Sequence, residues 1–249
     1  MRDNDGVGSY RDDGIVLRTQ KLGEADRIVT LLAKRAGRVR AVAKGVRRTK
    51  SRFGGRLEPF THVDLQLYTG RSLDVITQAE TVRAYGQPLA GDYPRYTTGT
   101  AMLETAEKFT PIEKEPAIRQ FLLLVGGLRA LAEADHDPRL VLDAYLLRSL
   151  SVAGYAPALE ECARCGTSGR LPAFAIPSGG MVCASCRPPG AASPGSGTVS
   201  LMGALLRGDW DNADQSDRRH QVECSGLVAA YLQWHLEHSI RSLRHVERV

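Results

Sequence analysis

The chain has 249 residues, of which 43% are hydrophobic and 24% charged, and its formal net charge is +5. This length and composition are typical of a globular protein with one large or two modest domains. There is no run of eighteen or more apolar residues, which excludes a typical membrane-spanning helix. The first thirteen residues lack the apolar core of a signal peptide, so we expect a cytoplasmic protein with reduced thiols and no membrane contact.

Five short segments in the first 85 residues have the periodicity of β-strands. They are rich in β-branched and apolar residues and are separated by turns. The segments span residues 14–20, 27–33, 38–44, 62–68 and 72–77. Five closely spaced strands favour a small closed barrel, either an oligonucleotide-binding (OB) fold or an SH3-like barrel, because closure leaves no open sheet edge. We assign residues 1–85 to this barrel and expect residues 1–13 to form a flexible extension.

Positive charge is concentrated in residues 34–56, which contain ten Lys and Arg side chains and no Asp or Glu. The rest of the chain has more acidic than basic residues, so the basic pI comes from this block alone. Such a block is typical of a surface that binds a polyanion. With Phe53 as its main aromatic residue, we expect contacts to phosphates rather than to particular bases. The candidate residues are Arg38, Arg40, Lys44, Arg47, Arg48, Lys50, Arg52 and Arg56.

Residues 86–249 have the periodicity of α-helices, which predicts an α+β multidomain protein with a barrel followed by a helical domain. Asp137 is a candidate N-cap, and Pro116 and Pro138 suit the first turns of two helices. In the helix that starts near Pro116 we expect an apolar side formed by Ile118, Phe121, Leu122, Val125, Leu128 and Ala132. In the last helix we expect Leu227, Tyr231, Trp234 and Leu236 on the apolar side. The predicted helices span approximately residues 98–109, 116–134, 138–154 and 226–245.

Four of the five cysteines form two pairs with the spacing C-x2-C-x17-C-x2-C. The candidate metal ligands are Cys162, Cys165, Cys183 and Cys186. Two such pairs complete a tetrahedron of thiolates with no position open for water, which predicts one structural Zn²⁺ in an insertion at residues 160–188. Iron would accept the same ligands, and two disulfides or four unrelated core thiols are the alternatives. The Pro-, Gly- and Ser-rich residues 187–198 are predicted to form a flexible linker.

The sequence contains no evident catalytic constellation. His235 and His238 could share a helix face, but no further ligand is spaced to join them. Glu160 and Glu161 are adjacent and point apart on a regular backbone, which is poor geometry for an acid–base pair. Cys224 has no partner at ligand spacing, so we expect it to be a small buried side chain. We therefore predict a protein that is not an enzyme.

Ordered blocks along nearly the whole chain resemble one protein family. They include "DGIVLRTQKLGEADRIVTLL", "GRVRAVAKGVRRTKSRFGGRLEPF", "YTTGTAMLETAEKFT", "LDAYLLRSLSVAGYAP" and the two Cys pairs. In this order and spacing, from about Arg11 onward, the chain resembles the RecO family of DNA repair and recombination mediators, most closely its actinobacterial members.

The resemblance implies an OB barrel, a helical C-terminal domain and, as in zinc-bearing members, a structural metal held by four Cys. It also implies that the protein binds single- and double-stranded DNA and anneals complementary strands. The implied partners are RecR, the single-stranded-DNA-binding protein and, indirectly, RecA, which replaces that protein on gapped DNA. The implied location is the cytoplasm, at the nucleoid, and the eight basic residues would contact DNA.

Two other functions fit the sequence. One is an enzyme that modifies nucleic acids and uses the barrel and the Cys pairs only to hold its substrate. The other is a protein-docking module in which the basic block binds an acidic partner tail. DNA binding by the isolated residues 1–85 would distinguish a DNA-binding mediator from such a docking module.

Overall fold

The computed structural model describes residues 8–236. Its N-terminal part is a closed barrel of five strands in the order β1-β2-β3-β5-β4, with β4 pairing back to β1. The strands are β1 (Ser9–Leu22), β2 (Asp26–Ala33), β3 (Gly37–Ala43), β4 (Thr61–Tyr68) and β5 (Asp74–Ala84). All neighbouring pairs are antiparallel except β3 and β5. This closed five-stranded barrel fits the OB fold expected from the sequence.

The barrel forms because its strands alternate between buried apolar and outward-facing residues. In β3, Val39, Ala41 and Ala43 are buried, while the residues between them face outward. The β3–β4 connection adds Phe53 and Leu57 to the same buried cluster. This connection is therefore packed onto the barrel by its own apolar side chains.

The first strand begins earlier than predicted. Ser9 to Asp13 pair with Tyr68 to Asp64 of β4. The expectation of a flexible extension is thus wrong for residues 9–13, because backbone pairing to a neighbouring strand holds them in the sheet. Residues 1–7 lie outside the described residues.

The C-terminal part contains seven helices and one small hairpin among the described residues. The helices are α1 (Gly86–Leu89), α2 (Tyr93–Phe109), α3 (Ile118–Glu133), α4 (Pro138–Val152), α5 (Ser196–Arg207), α6 (Trp210–Asp214) and α7 (Arg218–His235). The hairpin consists of β6 (Ala173–Ala175) and β7 (Gly180–Val182). Helix α4 packs against α2, α3, α5 and α7 and is buried over most of its surface. It therefore forms the centre of the helical core.

The helix N-termini follow local capping chemistry. Asp137 caps α4 as predicted, because its side chain accepts a hydrogen bond from the backbone N–H of Arg139. Helix α2 begins at Tyr93 rather than near Thr98, since Asp92 caps it in the same way. Helix α3 begins after Pro116, which lies outside the first turn.

The predicted apolar faces of two helices are partly wrong. Ile118 and Leu122 of α3 are about half exposed, at 48% and 54%. Trp234 of α7 is 60% exposed, whereas Tyr231 is buried as predicted. Helix α7 also begins at Arg218 rather than near residue 226, and the predicted end at residue 245 lies outside the described residues.

The expected linker at residues 187–198 is partly built into the fold. Ala192 forms two backbone hydrogen bonds with Phe174 of β6. Arg187 donates to the carbonyl of Ala191 and to the hydroxyl of Ser193. Residues 196–198 belong to α5, so the prediction of an unstructured connection is wrong at its C-terminal end.

The barrel and the helical domain are joined by a shared apolar cluster and by several ion pairs. Ile15, Leu17 and Leu32 of the barrel belong to the cluster formed by the helices. Beside it, buried Asp74 accepts hydrogen bonds from the Tyr10 hydroxyl at 2.5 Å and from Nζ of Lys114 at 2.9 Å. Burial acts to raise the pKa of Asp74, but these hydrogen bonds outweigh it, so this pKa lies below its ordinary value.

We predict that Asp74→Asn lowers the free energy of unfolding by about 2 kcal/mol at pH 7, because a buried, charge-assisted hydrogen bond is lost. The folded-state pKa of Asp74 is depressed, so its contribution is full above the unfolded pKa and is lost as the pH falls through the folded pKa. The difference between the two proteins should therefore shrink below about pH 4. Urea unfolding at a series of pH values measures this difference in the free energy of unfolding.

Asp64→Asn is the matched control for this prediction. Asp64 pairs with Arg11, whose side chain is 67% exposed. Removal of an exposed pair should cost less than about 1 kcal/mol. Equal losses in the two variants would contradict a special role for Asp74 at the domain junction.

Candidate metal centre and candidate nucleic-acid interface

The four paired cysteines lie on two short turns of the segment around the β6–β7 hairpin. In the first turn, the N–H of Gly166 donates to the carbonyl of Cys162 at 2.8 Å, and the N–H of Cys162 donates to Thr167 at 3.0 Å. The second turn follows β7 directly, where the N–H of Cys186 donates to the carbonyl of Cys183 at 3.1 Å. Each turn thus presents two sulfur atoms on one side.

Backbone contacts bring the two turns together. The N–H of Met181 donates to the carbonyl of Ala158 at 2.7 Å, and the N–H of Ala163 donates to the carbonyl of Met181 at 2.8 Å. At Gly180 two segments of the backbone approach so closely that a Cβ atom would lie 2.3 Å from the carbonyl oxygen of Ala158. Only glycine fits there, so Gly180 is a structural requirement of the Cys cluster.

The four sulfur atoms have the spacing of a tetrahedral thiolate site. All of them lie within 4.8 Å of one another, and the Sγ atoms of Cys165 and Cys183 are 3.9 Å apart. Zn–S bonds of about 2.3 Å in a tetrahedron require sulfur atoms about 3.8 Å apart. All five cysteines are free thiols, which excludes the alternative of two disulfides. The residues present therefore fit a metal ion.

Local hydrogen bonds favour the thiolate form that binds metals. The backbone N–H of Cys183 donates to Sγ of Cys162 and lowers the pKa of Cys162 to about 6. The hydroxyl of Thr167 lowers the pKa of Cys165. Hydrogen bonds to the sulfur atoms of Cys183 and Cys165 raise the pKa of Cys186, because they favour its protonated form. A bound divalent ion would instead favour the thiolate form of all four cysteines.

Residues 44–60, here named the basic loop, are attached to the turn between β1 and β2. The N–H of Gly45 donates to Oδ1 of Asp26 at 2.7 Å, and the N–H of Arg47 donates to the carbonyl of Ala25 at 3.0 Å. The guanidinium of Arg47 also donates to the carbonyl of Glu24 at 2.9 Å. No local sequence signal marks Asp26 as an anchor, because the contact spans nineteen residues.

The apolar side chains of the basic loop point into the barrel. Phe53 is only 1% exposed, and the guanidinium carbon of Arg52 lies 4.8 Å from the centre of its ring. Phe53 is therefore not available to stack on a base. The reason is that the ring closes part of the barrel core.

Six of the eight predicted basic residues are exposed on this loop. None of the six forms an ion pair with a carboxylate within residues 8–236. Glu58, the one acidic residue of the loop, is instead paired with Arg27 at 2.6 Å. The loop thus presents positive charge that no neighbouring acid neutralises. The six residues are Lys44, Arg47, Arg48, Lys50, Arg52 and Arg56.

The other two predicted residues face the helical domain. Arg38 is an ion-pair partner of Glu107 at 3.7 Å, and it donates to the carbonyl of Pro111; its side chain is only 14% exposed. Arg40 pairs with Glu113 at 3.6 Å. Strand alternation correctly predicts that both point out of the barrel, but the segment that follows α2 covers this face. We therefore exclude Arg38 and Arg40 from the candidate nucleic-acid interface.

The remaining candidate residues have packing roles or are solvated. His235 stacks on Tyr155 with ring centres 4.4 Å apart, and burial lowers the pKa of His235. Cys224 is fully buried, as predicted for a small core side chain, and burial raises its pKa. The side chain of Glu160 is 91% exposed. His238 lies outside the described residues.

Comparison with known proteins gives matches over nearly the whole chain. Residues 7–85 match the family model for the N-terminal part of recombination protein O, and residues 90–244 match the model for its C-terminal part. The chain belongs to the RecO family. Curated relatives named DNA repair protein RecO include those of Thermobifida fusca (71% identical), Nocardioides sp. (62%) and Streptomyces griseus (59%). Each alignment covers 96% of this chain and 98–99% of the relative.

RecO family membership agrees with the architecture described above. The family's N-terminal domain is an OB fold, and the chain combines this barrel with a helical region and a Cys cluster. Among residues 8–236, no helix is both long and apolar enough to cross a membrane.

Proposed function

We propose that this RecO protein is a recombination mediator in DNA repair that binds single- and double-stranded DNA through phosphate contacts at the basic loop. It anneals complementary strands and, together with RecR, helps RecA replace the single-stranded-DNA-binding protein. One observation carries this proposal: a loop fixed to an OB barrel presents six exposed cations, none of which pairs with a carboxylate in the described part of the chain. This role requires no covalent chemistry, so we propose no catalytic residue. It also places the protein at the nucleoid in the cytoplasm.

The charge distribution supports annealing as well as binding. Two complementary strands repel each other through their phosphates. A surface that neutralises phosphates on one strand releases its counterions and lowers this repulsion. Phosphates are the same in every sequence, so the contacts should not depend on base composition.

The Cys cluster supports a bound Zn²⁺ with a structural role. Four thiolates satisfy the ion completely and leave no ligand position for a substrate. Cys162 packs with Ala173, Ala175 and Val182 in a small buried cluster, so the ion would fix the hairpin to the first Cys turn. Elemental analysis of the purified protein should give about one zinc ion per chain.

A strand-annealing assay tests the proposed function. Complementary oligonucleotides are coated with the single-stranded-DNA-binding protein and mixed with this protein, with or without RecR. We expect the intact protein to accelerate annealing and RecR to change the rate. Arg48→Ala with Lys50→Ala should slow annealing at least 10-fold, because each phosphate contact contributes about 5-fold in affinity at 0.1 M salt.

Arg119→Ala with Arg170→Ala is the matched control, since both side chains are exposed and lie in the helical domain. This control should anneal like the unaltered protein. If the loop variant annealed equally well, the loop would instead serve a protein partner, and DNA binding through it would be excluded.

A further inference from the structure

The helical domain contains a polar cavity where three helices begin. Its volume is about 450 Å³, and it is lined by the first turns of α2 and α4 and by Arg218, the first residue of α7. The side chains that matter here are Arg95 and Thr98 from α2, Arg139 from α4, and Arg218. No local sequence pattern marks this set of residues, because its members are far apart in the chain.

The lining of this cavity carries more positive than negative charge. Asp92 and Asp137 also line it, but each pairs with the arginine of its own helix: Asp92 with Nε of Arg95 at 3.3 Å, and Asp137 with Arg139 at 2.7 Å. Arg218 adds one further positive charge. The first-turn amides of three helices add partial positive charge, and the N-cap residue of α7 makes no side-chain cap bond to them.

The hydroxyl of Thr98 is a second and independent feature of the site. Other threonines of α2 donate to the carbonyl four residues earlier, as Thr97 does at 2.9 Å and Thr105 at 2.7 Å. Thr98 lines the cavity and is 1% exposed, yet its Oγ1 has no hydrogen-bond partner within residues 8–236. A buried hydroxyl without a partner is unfavourable, and an anion oxygen in the cavity would accept its hydrogen bond.

The cavity begins on the turn that contacts the end of the basic loop. Tyr96, in the first turn of α2, makes an edge-to-face contact with Phe60, and the ring centres are 5.4 Å apart. Phe60 is the last residue of the basic loop. The start of α2 is therefore in contact with the C-terminal end of the basic loop.

We propose that this cavity is a phosphate-binding site and that it holds one backbone phosphate of bound single-stranded DNA. Arg95, Arg218 and the Thr98 hydroxyl are the donors. The proposal rests on the proposed DNA-binding function and extends it to a contact outside the barrel. The neutral pairs of Asp92 and Asp137 position the arginines at the helix ends.

The test uses the full chain with two probes. The first is inorganic phosphate at constant ionic strength, followed by thermal unfolding against chloride. The second is a 20-nucleotide oligothymidylate, followed by fluorescence anisotropy over a salt series. Arg218→Ala should abolish the stabilisation by phosphate, weaken oligonucleotide binding about 5-fold at 0.1 M salt and reduce the magnitude of the salt slope by about 0.7.

Thr98→Val and Arg219→Ala complete the set. Thr98→Val keeps the shape of the side chain and should reduce both responses. Arg219 is exposed on the same helix and does not line the cavity, so Arg219→Ala should behave like the unaltered protein. Equal effects of Arg218→Ala and Arg219→Ala would overturn the proposal. Loss of the phosphate response with unchanged DNA affinity would overturn the DNA contact and leave a site for free phosphate.

The loop variant Arg48→Ala with Lys50→Ala separates this proposal from the proposed function. If it weakens DNA binding while Arg218→Ala does not, the cavity proposal fails and the loop function stands. If only Arg218→Ala weakens DNA binding, the cavity proposal is supported and DNA binding through the basic loop is excluded.

Discussion

Reversal of three charges in the basic loop, by Arg48→Glu, Lys50→Glu and Arg52→Glu, is expected to weaken binding of single-stranded DNA at least 100-fold at 0.1 M salt. Each phosphate contact on a single strand contributes about 0.7 to the slope of log affinity against log salt, or about 5-fold in affinity at this concentration. Three lost contacts multiply to about 100-fold, and the new carboxylates add repulsion. Fluorescence anisotropy with an oligothymidylate measures the change.

The salt dependence provides the more specific measurement. Six phosphate contacts predict a slope near −4 for the unaltered protein, and three lost contacts predict a slope near −2 for the variant. Arg119→Glu, Arg164→Glu and Arg170→Glu change the net charge equally at exposed positions of the helical domain. If this control weakened binding as much as the loop variant did, net charge rather than the loop would determine affinity.

Removal of one predicted metal ligand, by Cys162→Ser, is expected to lower the melting temperature by about 10 °C while DNA affinity stays within about 2-fold. Binding of a structural metal contributes directly to folding free energy. A loss of roughly 3–5 kcal/mol corresponds to a shift of about this size in a chain of this length. DNA affinity should persist, because the small buried cluster around Cys162 contains no barrel residue. Calorimetry measures the melting temperature, fluorescence anisotropy measures DNA affinity, and elemental analysis measures the zinc content.

Cys224→Ala is the matched control for the metal prediction, since Cys162 and Cys224 are both buried thiols. The control should retain one zinc ion per chain, whereas Cys162→Ser should lose it. Equal metal content in the two variants would show that the four-cysteine cluster is not the binding site. Cys183→Ser should reproduce the result of Cys162→Ser, because it removes a ligand from the other turn.

Local patterns in the sequence predict some features of the structure but not others. The alternation of β3 predicts that Arg38 and Arg40 point out of the barrel, which they do. It contains no information on what covers that face, and Glu107 and Glu113 from the helical domain bind both side chains. The Cys pairs were predictable because metal ligation fixes their spacing within the chain.

Helix α3 shows the same limit for apolar residues. Periodicity predicts an apolar helix, but it does not predict which of several apolar residues face the core. Phe121, Leu124 and Leu128 are buried, whereas Ile118 and Leu122 are about half exposed. The buried face depends on where neighbouring helices pack, and this is a tertiary property that a single segment does not encode.

The burial of Phe53 has a consequence for a strand held on the basic loop. With this ring enclosed in the barrel, the loop would contact the sugar–phosphate chain in the proposed complex and offer no aromatic surface of its own to the nucleobases. The Watson–Crick edges of a captured strand would then remain outward and unoccupied. A second strand could read them while the first is still bound, and the finished duplex could leave without any base having to be released from the protein.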